Sequence, residues 1–320
     1  MSRPVARAAF PVLTVFAGAL IMPLSLLSAC SSFHVGALPG EPSDATFARV
    51  AGAHVRYVDE GPTVAVAAGA NAEPVVLVHG FASSLETWAP VRALLRAQHR
   101  VLSLDLKGFG WSDRPPGDYS AEAQADLVLA LMDRQGISSA AFVAHSYGSS
   151  VVLAIALKAP ARVTRIVMYD AWVYASQIPS FFHMARLDGL GEVMFAAWYQ
   201  DRAEERLALA FYDPTFVTQD RVDHVLSMLS RPGTTAAALA AVRGMRYQQS
   251  EAGYRKITQP TLVLWGREDR ITSLSVGERL VQDLPNARLV VYPRCGHFPM
   301  YEASAQSGAE VVRFLSPEVQ

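Results

Sequence analysis

The sequence predicts an α/β fold: a doubly wound, mostly parallel sheet interrupted by a helical insertion. Three observations carry this reading. Short continuous apolar runs such as Val75-Val76-Leu77-Val78 and Ala140-Ala141-Phe142-Val143-Ala144 recur along the chain, the mark of strands buried on both faces. Segments with helical patterning alternate with them, which implies right-handed βαβ crossovers. The alternation lapses once, from about residue 172 to 259, where the chain reads as helices with aromatics, and then resumes.

Taken in order, Phe47 to Asp59 shows strand-like alternation through Val50, Val55 and Tyr57, ending in a turn at Gly61-Pro62. The Ala- and Gly-rich run from Val64 to Ala72 reads as a surface excursion. Strands are then expected at residues 75–78, 100–105, 140–144 and 163–169, with helices at 85–97, 120–134 and 147–158 between them. Ser120 suits the cap of the second helix. After the insertion come a strand at 261–265, a helix near 276–283, a strand at 288–292 and a last helix over 303–315.

With 51% hydrophobic and 18% charged residues, a chain of 320 can bury a sizeable core. Its net charge of −1 points to no nucleic-acid partner and no solvating acidic tail. The start is a separate matter. Arg3 and Arg7 are followed by no charged residue until Glu41, and the apolar stretch ends in Leu27-Ser28-Ala29-Cys30. This reads as a secretory signal. The last four residues resemble the lipobox of bacterial lipoproteins, which implies removal of residues 1–29 and lipidation of Cys30. In that sorting pattern Ser31 favours an outer-membrane anchor facing the periplasm. Pro11 and Pro23 argue against the alternative, an uncleaved spanning helix. Residues 30–45 suit a flexible tether. Of the two cysteines only Cys295 then accompanies Cys30, so no internal disulfide is expected.

The chemistry centres on Ala144-His145-Ser146-Tyr147-Gly148, where a buried strand runs directly into a helix. A serine hydroxyl is a weak nucleophile and needs exposure, a base and a site for developing negative charge. A sharp strand-to-helix turn supplies the first, and free N–H groups of the new helix part of the last. The usual pattern is G-x-S-x-G; here Ala144 replaces the first Gly. Alone, the pentapeptide also fits an ordinary helix cap. Two later residues change that: Asp269 in the loop after the 261–265 strand, and His297 after the 288–292 strand. Ser, Asp, His in that order, each just past a strand's carboxyl end, converge where open parallel sheets build their sites. Glu268 and Asp170 are the rival acids.

From about residue 50 to 315 the chain resembles the α/β-hydrolase superfamily, particularly its members with a helical cap. Those include small-molecule esterases and carbon–carbon bond hydrolases. The segments Val76-Leu77-Val78-His79-Gly80-Phe81 and Asp105 to Ser112 share in the likeness. The resemblance implies one hydrolase domain over 46–320, with the cap at about 172–259. It implies Ser146 as nucleophile, His297 as base, Asp269 as its orienting acid, and the N–H groups of Phe81 and Tyr147 as the oxyanion hole. No metal or cofactor is called for. A serine rather than an aspartate nucleophile separates the chain from epoxide hydrolases and haloalkane dehalogenases.

His79 and His145 are expected to pack and hydrogen-bond beside the site, His183 and His224 to lie on the surface, and Cys295 to be inert. Most insertion aromatics (Phe181, Phe182, Phe195, Trp198, Tyr199, Phe211, Tyr212) are expected simply to pack the cap on its core. The expected activity is hydrolysis of esters of small, fairly apolar molecules through an acyl-enzyme on Ser146. Carbon–carbon hydrolysis of a diketone and a ligand-binding module without turnover are the alternatives. The partners are then a small-molecule ester and, through the lipid, a membrane; nothing in the sequence sets an oligomeric state.

Overall fold

A computed structural model describes residues 32–62, 73–199 and 203–316. The segment expected as a signal, with Cys30, and the excursion expected over Val64–Ala72 lie outside the described residues.

Strands β1 (Thr46–Val50) and β2 (Ala53–Glu60) form a hairpin closed by Ala51-Gly52. Both turn residues have positive φ (48° and 77°), as a two-residue turn matched to strand twist requires. β3 (Val75–Val78), β4 (Val101–Leu104), β5 (Ala140–His145), β6 (Val163–Tyr169), β7 (Thr261–Gly266) and β8 (Ala287–Tyr292) complete an eight-stranded sheet. Its order is β1-β2-β4-β3-β5-β6-β7-β8; β1, β2 and β4 pair antiparallel and the remaining pairs are parallel.

Each central strand feeds two cores because successive side chains point to opposite faces. Val76 and Val78 pack with α2 (Ala121–Arg134), α3 (Gly148–Lys158) and, further along, α10 (Leu274–Asp283). Val75 and Leu77 face α1 (Ala89–Leu95), α11 (Pro299–Glu302) and α12 (Ser304–Leu315). Ser120 caps α2 as expected, its hydroxyl accepting from Ala123 N–H at 3.2 Å.

Between β6 and β7 the cap contributes α4 (Ser180–Ala185), α5 (Leu190–Trp198), α6 (Ala203–Ala210), α7 (Gln219–Leu229), α8 (Thr234–Gly244) and α9 (Gln248–Glu251). Two arginines pin it over the sheet edge. Arg114, fully buried, donates from Nε to Thr234 Oγ1 (2.9 Å) and from Nη2 to Gly110 O (2.7 Å). Arg231 donates to the same carbonyl at 2.7 Å while lying 3.4 Å above the Trp111 ring.

The segment expected as a free tether is laid on the domain from Phe33 onward. Phe33 stacks on Tyr119, His34 and Arg114 exchange backbone hydrogen bonds of 3.0 Å, and Leu38 is buried. Gly36 N–H and the Asp113 carboxylate add a long-range bond that the composition of the segment does not announce. No helix among the described residues is long and apolar enough to cross a membrane.

Candidate active site

Ser146 sits where β5 turns into α3, with φ of 49°. A side chain held in the left-handed region costs roughly 1–2 kcal/mol and persists only where neighbours over-determine it. Here they do. Ser146 N–H donates to Tyr169 O at 2.9 Å, and its carbonyl accepts from Ser149 and Trp172 N–H at 2.9 and 3.0 Å. Gly148 must lack a side chain, since a Cβ would lie 2.3 Å from the Val78 carbonyl oxygen. Ala144 replaces glycine without harm because it is the last-but-one strand residue, in register between Val78 and Met168.

Asp269 and His297 follow β7 and β8, so the turn, the acid and the imidazole meet at one sheet edge. His297 Nδ1 and Asp269 Oδ2 are 2.7 Å apart and both groups are buried. Asp269 Oδ1 accepts from Ile271 and Thr272 N–H at 2.7 and 3.1 Å, while the Thr272 hydroxyl donates to Oδ2 at 2.6 Å. Burial works to raise the Asp269 pKa, but the His297 and Thr272 partners outweigh it and hold it below the usual range. With Nδ1 engaged, Nε2 is the imidazole nitrogen left to accept a proton. His297 itself is fixed from behind, its N–H on Ala210 O (2.7 Å) and its carbonyl 2.8 Å from His145 Nε2.

The loop after β3 brings Phe81 opposite the turn. His79 accepts from Leu106 N–H at Nε2 (3.0 Å) and therefore donates from Nδ1 to Gly80 O (2.7 Å). This ties the loop to the segment after β4, where Asp105 accepts from Leu85 and Trp111 N–H at 2.8 Å each. Among the described residues, no backbone carbonyl takes up the N–H of Phe81 or Tyr147. Both N–H groups are therefore left without a backbone partner beside Ser146. Ser146, Phe81 and His297 share a cavity of about 460 Å³, roofed by cap residues that include Phe182, Phe195, Tyr199, Phe211 and Met228.

A profile of the alpha/beta hydrolase fold matches residues 73–304. The chain belongs to the α/β-hydrolase family. A 2-hydroxy-6-oxononadienedioate/2-hydroxy-6-oxononatrienedioate hydrolase of Paraburkholderia phymatum is 31% identical over 259 residues, covering 77% of this chain and 88% of the relative. The meta-cleavage product hydrolase of Pseudomonas fluorescens IP01 superposes with a TM-score of 0.70 at 24% identity, over 84% of this chain and 96% of that one. A thermophilic esterase from Thermogutta terrifontis gives 0.67 at 25%, over 85% and 98%.

In this hydrolase Asp269 and His297 are paired and His297 lines the same cavity as Ser146, while the rival acids separate. Glu268 is spent on Cys295 N–H (3.0 Å). Asp170 directly follows β6 with φ of 44°, accepts Gly266 N–H at Oδ1 (2.9 Å), and lies against Asp269 rather than pairing with the imidazole. Complete burial and the Asp269 charge push its pKa well above its ordinary value, which favours the protonated form. The donor atoms of Asp170, Asp269 and His297 lie within 4.8 Å of one another, close enough for a cation. Two of them, Asp269 Oδ2 and His297 Nδ1, are already engaged with each other in the 2.7 Å hydrogen bond.

Thr272 was missed: a hydroxyl three positions after an acid carries no sequence signal. His224, expected on the surface, instead lines the cavity, and burial lowers its pKa. The insertion aromatics also depart from expectation. Phe181, Phe182, Phe195, Tyr199 and Phe211 line the cavity, while Trp198 and Tyr212 are exposed. Amphipathic spacing identifies an inward face but not whether that face meets protein or a void. His183 is exposed, and Cys295 is fully buried with its thiol pKa pushed up by that burial.

Proposed function

We propose that the hydrolase breaks a carbon–carbon bond beside a ketone, with Ser146 as nucleophile. The observation that carries this is the name of the Paraburkholderia relative. A 2-hydroxy-6-oxo dienedioate has a ketone and two carboxylates but no ester, so its hydrolysis must add water across a carbon–carbon bond. On this reading Ser146 Oγ adds to the ketone while His297 Nε2 takes its proton and Asp269 stabilises the imidazolium. The Phe81 and Tyr147 N–H groups hold the oxyanion, each worth about 3 kcal/mol of barrier. Collapse expels the enol-forming carbon, which takes the proton from His297, and water then releases the acyl group. Arg206 and Arg221 on the cavity wall suit an acidic end of the substrate.

Ester hydrolysis is the second reading, favoured by the largely aliphatic and aromatic wall and by the likeness to the esterase. The same triad serves it. The deciding experiment compares kcat/KM on a vinylogous diketone acid with p-nitrophenyl esters of graded acyl length. Turnover of esters alone overturns the carbon–carbon reading. Ser146→Ala must abolish whichever activity is found. Absence of all turnover, with no labelling of Ser146 by a fluorophosphonate, would favour a ligand-binding role.

We further propose that Cys30 carries a lipid anchor at the outer membrane, facing the periplasm; Leu27-Ser28-Ala29-Cys30 supports it. Cys30→Ser should leave the chain unlipidated, and unchanged lipid incorporation refutes the assignment.

A further inference from the structure

Twelve large apolar side chains are exposed among the described residues, and only Leu94 belongs to the sheet-and-helix body. Nine lie in the cap, and Phe33 and Val35 on the chain that enters the domain. Scattered exposed apolar residues need no explanation, but a one-sided concentration marks an interaction surface. Six of the nine fall in a single stretch: Phe181, Met184, Leu187, Leu190, Val193 and Trp198.

On α5, Leu190, Val193 and Ala197 recur at helical spacing along an outer stripe, while Met194 and Phe195 turn inward and are buried. Phe181 of α4 stacks on Phe195 with ring centroids 6.1 Å apart, so the two helices present their outer residues side by side. The two acids of the stretch, Asp188 and Glu192, both pair with Arg243.

The place where the N-terminal chain arrives decides what covers this face. Phe33 shares the wall of a cleft of about 590 Å³ with Glu192 of α5 and with Leu239 and Arg243 of α8. The segment preceding it has no charged residue after Arg7. On the anchored reading, the chain enters the bilayer from a cleft that borders α5.

We propose that the cap's outer face, from Phe181 to Trp198, rests in the surface of a lipid bilayer beside the entry point of the N-terminal segment. This rests on the membrane-anchored reading given above. Apolar side chains with an aromatic residue at the rim are the composition of interfacial helices. Phe181 belongs both to this face and to the cavity wall, so the docked cap takes amphiphilic carbonyl compounds from the membrane side.

The chain carries its own probe. Of its five tryptophans, Trp88 and Trp265 are buried, Trp111 and Trp172 are partly covered, and Trp198 is 52% exposed on the proposed face. The full chain is reconstituted with phosphatidylcholine vesicles, with and without brominated acyl chains, and its emission and flotation are measured. Docking predicts quenching by the brominated lipid that is lost in Trp198→Phe. It is also lost in Leu190→Asp/Val193→Asp while that variant still floats and keeps the circular dichroism of the wild type. A chain that floats without Trp198 quenching overturns docking and leaves the anchor standing. A chain that does not float overturns the anchor, and docking with it.

Discussion

At the scale of single residues, the candidate site depends on two acids in unlike surroundings. Asp269 collects two N–H groups, a hydroxyl and an imidazole; Asp170 has one N–H and, at Oδ2, no other donor among the described residues. Two buried carboxylates in contact cannot both ionise, so the proton stays on the less solvated one. Asp170→Asn keeps an acceptor for Gly266 and a donor for Asp269 while removing the titration. Because the Asp170 pKa is raised from its ordinary 3.8, the unfolded chain releases a proton that the fold retains, and stability falls as pH rises through the folded value. Thermal midpoints should therefore favour Asp170→Asn over wild type increasingly as pH rises above about 4; a pH-independent difference refutes the raised pKa. Thr272→Val removes a hydrogen bond to a charged group, about 1.5–3 kcal/mol, and should lower kcat roughly 10- to 100-fold with KM little changed. Steady-state kinetics on the better substrate checks this, and a variant with wild-type kcat would mean the hydroxyl does not hold Asp269.

At the scale of elements, the strand-to-helix turn is the most constrained. Gly148→Ala puts a Cβ 2.3 Å from the Val78 carbonyl. Overpacking of this kind costs about 1–3 kcal/mol, to be read as a lower denaturation midpoint in urea. Activity should fall further than stability accounts for, because relieving the clash moves the Tyr147 N–H. The strands from β3 onward were legible nearly to the residue, since burial in a parallel sheet demands continuous apolar runs. The stretch expected as one strand from Phe47 to Asp59 instead folds as the β1–β2 hairpin, because Ala51-Gly52 takes positive φ and turns the chain back. Helix ends were not legible. The helix expected over residues 85–97 is a 3₁₀ turn at Leu85–Trp88 followed by α1, because Pro90 suits only a first helical turn. The helix expected over 303–315 is preceded by the separate turn α11, broken at Ala303 with φ of −120°.

At the scale of the whole molecule, the buried histidines contribute to the pH dependence of stability. Burial lowers the pKa of His79 and His145 below the ordinary 6.5. The unfolded chain binds protons there that the native state refuses. Their stabilisation is thus complete above about pH 6.5 and is lost as pH falls through the depressed folded values. Urea midpoints should decline on acidification before the carboxylates titrate. His145→Gln, which keeps a donor for the His297 carbonyl, should flatten that decline. An unchanged slope would show that His145 does not contribute to it.

The order Ser146, Asp269, His297 and its placement at strand ends were determined by the sequence itself, as was the α/β class. Both follow from local burial patterns that hold whatever the neighbouring chain does. The tertiary structure alone decided the strand order, the cap aromatics that face the cavity, the seating of the entering chain on the domain and the partners of each acid. These depend on contacts between distant positions: Gly266 bonds Asp170 across 96 residues, and Phe33 meets the cap near residues 192 and 243. Desolvation and hydrogen bonding act through such contacts, and a linear pattern of residue types does not record them.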